Sequence, residues 1–171
     1  MAENQNTMLS QISPCLWFDG QAEEAANFYT SIFKGGKINH VQRYSDAGME
    51  AHSQKPGSVM VVSFELNGHP FTALNGGPQF KFSPAISFQI GCADQEEVDH
   101  YWDKLKDGGD PTKQRCGWVE DKFGVSWQVI PKALFKMIAD TNPEKSKRTY
   151  EAMMGMKKFD IAVLERVFRD G

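Results

Sequence analysis

The chain has 171 residues, 40% hydrophobic and 24% charged, which is enough apolar material for a core of single-domain size and excludes a disordered tail. Nineteen Lys and Arg against 22 Asp and Glu leave a net charge of −3 with no long basic run, which argues against nucleic-acid binding. No apolar stretch approaches the roughly 20 residues of a membrane helix, and the three dispersed cysteines Cys15, Cys92 and Cys116 form no CxxC pair.

In chain order, Ile12 to Phe18 is a short apolar run ended by the turn dipeptide Asp19-Gly20. Gln21 to Phe33 reads as a helix with Ala22, Ala25, Ala26, Tyr29, Ile32 and Phe33 on one face, stopped by Gly35-Gly36. Lys37 to Tyr44 has strand character. Ser45 to Ser58 has no apolar period and reads as a mobile loop able to cover a site. Val59 to Leu66 and Pro70 to Leu74 flank Asn67-Gly68, a strong hairpin signal.

The order then restarts. Ala85 to Ile90 reads as a strand, and a helix runs from Asp94 to about Lys106, with Asp94 and Glu97 at capping-box spacing and Gly108-Gly109 as its stop. Short strands are expected around Pro111 to Gln114, Gly117 to Glu120 and Val125 to Ile130. Three helices follow. Pro131 leads into Lys132 to Asp140, and Asn142-Pro143 opens a helix carrying Tyr150, Met153 and Met154 up to Gly155. Asp160 caps the last, whose stripe of Ile161, Leu164, Val167 and Phe168 is expected to pack on the main domain or a second subunit.

Gln21 to Tyr29 lies over Asp94 to Trp102 at a fixed offset of 73, matching Glu23-Glu24 to Glu96-Glu97 and Phe28-Tyr29 to Tyr101-Trp102. A strand before each segment and three strand candidates after it make duplication a better account than chance. The expected fold is α+β: two βαβββ modules, 12–75 and 85–130, forming a cupped mixed sheet. They belong to a single domain over 1–171, with a C-terminal helical extension over 132–168.

Several segments carry a family resemblance: Ile12-Ser-Pro-Cys-Leu-Trp-Phe-Asp-Gly20, Ala25-Ala-Asn-Phe-Tyr29, Gly57-Ser-Val-Met60, Leu74-Asn-Gly-Gly-Pro78 and Ile86-Ser-Phe-Gln89. The most specific is Gly117-Trp-Val-Glu-Asp-Lys-Phe-Gly-Val-Ser-Trp-Gln-Val-Ile-Pro131. Over about residues 12 to 168 the chain resembles the vicinal oxygen chelate superfamily of glyoxalase I, extradiol dioxygenases and bleomycin-resistance proteins. Within it, the chain is most similar to the PhnB-like branch labelled 3-demethylubiquinone-9 3-methyltransferase. The resemblance implies a glyoxalase/bleomycin-resistance fold and a homodimer, in some relatives one that exchanges modules.

In the superfamily's enzymes one divalent ion is held from the first, fourth, fifth and eighth strands, where it stabilises charge on two neighbouring substrate oxygens. Here those positions fall on Pro14, on Ala73 or Asn75, near Ala85, and on Gln128. Proline and alanine carry no side-chain donor, and one or two amides are too few for a tightly held ion. His40, His52, His69 and His100 are isolated from one another, with no pair at i, i+2 or i+4. Neither a metal nor a cofactor is expected. A methyl donor such as S-adenosylmethionine calls for a Gly-rich strand-to-helix turn. Gly76-Gly77-Pro78 is the glycine cluster that follows a strand, and Phe80-Lys-Phe82 rather than a helix comes after it.

Strand alternation then selects the lining of the cup. If Gln128 faces in, so does Ser126, while Val125, Trp127 and Val129 face the helices. Ala85, Ser87 and Gln89 share one face, and Pro14, Leu16 and Phe18 are expected to face in on the first strand. The expected ligand contacts are Phe18, Asn75, Ser87, Gln89, Cys116, Trp118, Ser126 and Gln128. Gln89 and Gln128 lead, because buried amides must find partners, in a ligand or in each other. Cys116 beside Arg115 is the thiol best placed for reactivity, with a small apolar filler as its other reading. Glu120-Asp121 before Lys122 offers either a general base or a solvated turn. No Ser-His-Asp or Cys-His grouping is legible, so no catalytic residue is assigned.

The expected function is binding or sequestering of a small molecule without a tightly bound catalytic metal, by a cytoplasmic homodimer with no nucleic-acid or membrane partner. The alternatives are a metal-assisted lyase or dioxygenase of the glyoxalase type, a methyltransferase, and a structural module whose cup is filled by its own side chains. An open cavity lined by Gln89 and Gln128 would mark binding. Three convergent His, Glu or Asp side chains would mark the enzyme.

Overall fold

The computed structural model describes residues 12–47 and 54–170. Met1 to Gln11 and the centre of the expected Ser45–Ser58 loop, including His52, lie outside the described residues. The chain divides into two compact units between Lys81 and Phe82.

The first unit consists of β1 (Cys15–Phe18), α1 (Ala22–Ile32), β2 (Lys37–Arg43), β3 (Val59–Leu66) and β4 (His69–Asn75). Its sheet has the order β1-β4-β3-β2, with β1 parallel to β4 and the other pairs antiparallel. The β3–β4 hairpin turns at Asn67-Gly68, both with positive φ (+49° and +78°), as a type I′ turn requires. All six residues predicted for the apolar face of α1 are buried. They cover the sheet face formed by Leu16, Phe18, Val62, Phe64, Phe71 and Ala73, where Tyr29 stacks on Phe64 at 6.2 Å and Phe64 on Phe71 at 5.4 Å.

The second unit consists of β5 (Phe88–Cys92), α2 (Gln95–Leu105), a 3-10 turn (Pro111–Lys113), β6 (Trp118–Glu120), β7 (Ser126–Pro131), α3 (Lys132–Ile138), α4 (Pro143–Met154) and α5 (Ile161–Arg169). Its sheet order is β5-β7-β6, with β5 parallel and β6 antiparallel to β7. α2 and α1 are each 11 residues long, and their first residues keep the offset of 73 seen in the sequence. Asp94 caps α2 by accepting from the Glu97 N–H at 2.9 Å, and Glu97 reaches back to the Ala93 N–H at 2.8 Å. Val98, Tyr101, Trp102 and Leu105 bury the inner face of α2.

Two strand expectations in this unit are corrected. Pro111 to Gln114 is no strand: Pro111 has no N–H for a ladder, and Asp110 takes the Thr112 N–H and hydroxyl at 2.8 and 2.7 Å, closing a 3-10 turn. What remains of that strand is a single bridge between Arg115 and Trp118. The other correction concerns Ala85 to Ser87, which precede β5. Pro84 breaks the ladder, the Ile86 N–H turns back to the Ser83 carbonyl, and the Ile86 side chain is 76% exposed instead of facing a helix.

The three C-terminal helices belong to the second unit, and their caps fall where predicted, on Asn142 and Asp160. Ile130, Leu134, Met137, Phe159 and Leu164 form their core, with Met153, Met156 and Phe168 packed against it. Part of the predicted stripe on α5 therefore packs within the chain.

Candidate functional site

A cavity of about 540 Å³ opens in the second unit, lined by residues from Pro84 to Phe159. Its floor is the sheet face opposite α2. Phe88, Ile90, Trp127 and Val129 point to the helix side, so their alternating neighbours Gln89, Ser126, Gln128 and Ile130 face the cavity. The strand register makes a row across this floor: Gln89 pairs with Gln128, Gln128 with Trp118, and Trp118 with Arg115. All four residues line the cavity.

The amides are linked. Gln89 Nε2 donates to Gln128 Oε1 at 3.4 Å, and Gln128 Nε2 donates to Ser87 Oγ at 2.8 Å. The serine hydroxyl accepts or donates equally well, so the chain of bonds can run in either direction. Gln89 at its end then offers a ligand an acceptor in one direction and a donor in the other.

Arg115 and Trp118 are held opposite each other by a two-residue turn at Cys116-Gly117, with φ of +49° and +77°. The Arg115 N–H donates to the Trp118 carbonyl at 3.2 Å and the Trp118 N–H to that of Arg115 at 2.8 Å. A non-glycine residue in this conformation is strained, and contacts from the segment after α4 hold it. The Cys116 and Gly117 N–H groups donate to the carbonyls of Met156 and Lys157, each at 2.8 Å. The Cys116 thiol points to the Met153 and Met154 carbonyls at 3.5 and 3.6 Å and touches the Met154 sulfur at 3.7 Å. In the other two cysteines burial raises the thiol pKa, and Cys92, near Glu97 and Asp94, is pushed up to about 12.

Of the eight expected contacts, the structure brings Gln89, Cys116, Trp118, Ser126 and Gln128 to one cavity, with Ser87 bonded behind Gln128. Phe18 and Asn75 lie elsewhere. On β1 the parity is one residue out: Leu16 and Phe18 are buried on the α1 side, and Trp17 takes the other face. Asn75 shares the Phe18 side, and both its amide oxygen and its amide nitrogen are bonded there. It accepts from the Ala22 N–H at 2.9 Å and donates to the Val59 carbonyl at 3.0 Å.

The second reading of Glu120-Asp121 also changes. Glu120 lines the cavity, whereas Asp121 is buried and organises the β6–β7 turn, accepting from the Phe123 and Val125 N–H groups and the Trp127 indole at 2.8–3.0 Å. The sequence reading missed the part of the lining supplied by Phe135, Met153, Met154 and Phe159 of the C-terminal segment. The available signal was their apolar character outside the predicted stripe of the last helix.

The four positions aligned with metal ligands do not fit a divalent ion. Pro14 and Ala85 offer no side-chain donor, Ala73 and Asn75 face α1, and only the Gln128 amide reaches the cavity. Among the described residues no three His, Cys, Asp or Glu side chains are grouped as ligands. The glycine cluster after β4 has a packing cause. A side chain at Gly76 would collide with the Trp17 indole, whose N–H bonds the Gly77 carbonyl at 2.8 Å, and no helix follows.

Residues 10–130 match the family described as 3-demethylubiquinone-9 3-methyltransferase. The match stops at Ile130, short of the C-terminal helices that the sequence resemblance included. No curated protein matches the chain. Among solved structures it is similar to the "Putative 3-demethylubiquinone-9 3-methyltransferase, PhnB protein" of Bacillus cereus, at 36% identity and TM-score 0.61, covering 71% of this chain and 99% of that one. It is also similar to protein PA1353 of Pseudomonas aeruginosa, at 22% identity and TM-score 0.54, covering 72% and 98%. A third is the fosfomycin resistance protein FosX of Listeria monocytogenes, at 18% identity and TM-score 0.49, covering 74% and 94%.

Proposed function

The chain belongs to the family described as 3-demethylubiquinone-9 3-methyltransferase, and from that premise we propose that it binds a small organic molecule in the cavity of its second unit. The observation that carries this reading is the open volume of about 540 Å³ over Gln89 and Gln128. It lies within the roughly 300–1,000 Å³ of small-molecule sites, predominantly apolar with a few placed polar groups. A structural module filled by its own side chains would leave no such volume.

The contacts in this reading are Gln89, Cys116, Trp118, Ser126 and Gln128, with Ser87 orienting Gln128. Phe18 and Asn75 leave the set because their side chains hold the first unit together. Among the described residues Glu120 is the single carboxylate on the lining, which supports binding over acid–base or metal-assisted turnover. We also read the two units as copies of one module and the protein as a cytoplasmic homodimer. The free thiols of Cys15, Cys92 and Cys116 support a reducing compartment, and exposed Phe80 and Ile86 support self-association.

Elemental mass spectrometry of protein purified without chelator, followed by a small-molecule screen read by tryptophan quenching, tests the proposal. Substoichiometric metal with saturable quenching that is lost in Trp118→Phe supports it. Near-stoichiometric Zn, Ni, Mn or Fe together with turnover of a glyoxalase or dioxygenase substrate overturns it. Light scattering on the eluted peak reads the dimer.

A further inference from the structure

The two walls of the cavity differ in chemistry and in origin. The sheet wall carries the row Gln89, Gln128, Trp118, Arg115, one residue per strand position. At the usual strand spacing of roughly 4.8 Å, Gln128 and Arg115 leave the backbone on the two sides of Trp118. Another part of the lining is apolar: Phe135, Met153, Met154 and Phe159 come from the segment beyond the family match. Two of these, Phe135 and Met154, remain 51% and 36% exposed. Rings and thioethers make good contacts with a flat aromatic face.

The charges are placed unevenly along this space. Arg115 forms no ion pair with any described residue, and Lys113 also lines the cavity. The lone lining carboxylate, Glu120, lies two residues further along β6, paired with Ser126. A guanidinium beside an indole suits a carboxylate on a planar body, since the fork binds both oxygens and the ring stacks on the indole.

We propose that the cavity recognises an aromatic carboxylate, its carboxylate on Arg115, its ring between Trp118 and the Met153–Met154 wall, and its far edge on the Gln128–Gln89 amides. The proposal rests on the binding reading above and names the ligand class for that site. The part of the chain within the family match supplies the polar row. The C-terminal extension supplies the apolar wall and so sets the size of the ring accepted.

Three probes of one shape test it: 2-naphthoate, 2-naphthamide and 2-naphthylmethylammonium, titrated into the full chain by tryptophan fluorescence and by NMR shifts of the Trp118 indole N–H. The expected order is naphthoate tightest, by about tenfold over the amide, which is about the contribution of one charge-assisted contact, and the ammonium weakest. Arg115→Gln, a change at an exposed side chain, brings naphthoate down to the affinity of the amide and leaves the amide unchanged. Phe135→Ser weakens naphthoate and naphthamide alike. Equal affinity for all three probes, or an Arg115→Gln variant that still prefers naphthoate, overturns the ligand class and leaves the cavity a binding site. If none of the three binds but the broad screen finds other ligands, only this inference falls. If the screen is blank as well, the binding reading falls with it.

Discussion

The two units carry helices of equal length at matching positions, yet one directs a strand amide to the helix side of its own sheet and the other to the side away from its helix. In the first unit α1 has no side-chain cap of its own at Gln21, and Asn75 at the end of β4 supplies one from across the sheet, accepting from the Ala22 N–H. That use ties Asn75 to the helix side. In the second unit Asp94 caps α2 locally, no strand residue is needed there, and Gln128 faces the open side. The difference teaches that an amide on a strand reports function only once the helix it might serve is known to be capped by something else.

The largest test of this contrast is Asp121→Ala. It strands two buried donors and one part-buried donor at the β6–β7 turn, so unfolding in urea should show a loss of about 3 kcal/mol. A loss under about 1 kcal/mol would mean that water replaces the carboxylate and the floor of the cavity is not held by this turn. Next is the pair Asn75→Ala and Gln128→Ala. The first leaves the Ala22 N–H and the Val59 carbonyl unpaired and should cost about 2 kcal/mol. The second, on the cavity side, should cost less than about 0.5 kcal/mol while weakening ligand binding. Equal losses of stability would break the comparison.

Capping sharpens the comparison at a smaller scale. Asp94→Ala should cost about 1 kcal/mol, whereas Gln21→Ala should stay within about 0.3 kcal/mol because α1 is capped from β4. A comparably small effect belongs to the 2.7 Å pair of Asp99 on α2 and Lys158 after α4, which joins α2 to the extension. Hydrogen bonds from Lys158 and Gln95 hold the Asp99 carboxyl below its usual range, and Asp99 holds Lys158 above its own. The carboxylate contribution is present above the unfolded value near ~3.9 and fades as pH falls through the lowered native one. The lysine contribution is present below ~10.4 and fades as pH rises through the raised native value. Lys158→Gln should therefore cost a few tenths of a kcal/mol between about pH 4 and 10, the side chains being 35% and 45% exposed, and nothing in 1 M salt.

The helices were legible because their signals are local. The spacing of Ala22, Ala25, Ala26, Tyr29 and Ile32 marks a buried face without reference to any other element, and Asp94, Asn142 and Asp160 bond N–H groups two to three residues on. On β7 the run Ser126-Trp-Gln-Val129 alternates polar and apolar, so the cavity side of Gln128 could be read directly. On β1 the run Cys15-Leu-Trp-Phe18 is apolar on both faces, and alternation carries no information there. Its parallel partner β4 decides that Leu16 and Phe18 lie under α1.

The sequence by itself determined the helices, the caps at Asp94, Asn142 and Asp160 and the amides that open on the cavity, because each depends on residues a few positions apart, and it showed the offset of 73 because the same local pattern occurs twice. Only the tertiary structure decided that Asn75 belongs to α1, that Arg115 joins the row beside Trp118, and that the C-terminal segment walls the site. Those outcomes depend on which strands pair and on what packs across them; the Asn75 bond to the Ala22 N–H spans 53 positions, and even the Arg115–Trp118 bridge depends on contacts from the segment after α4 to the turn between them.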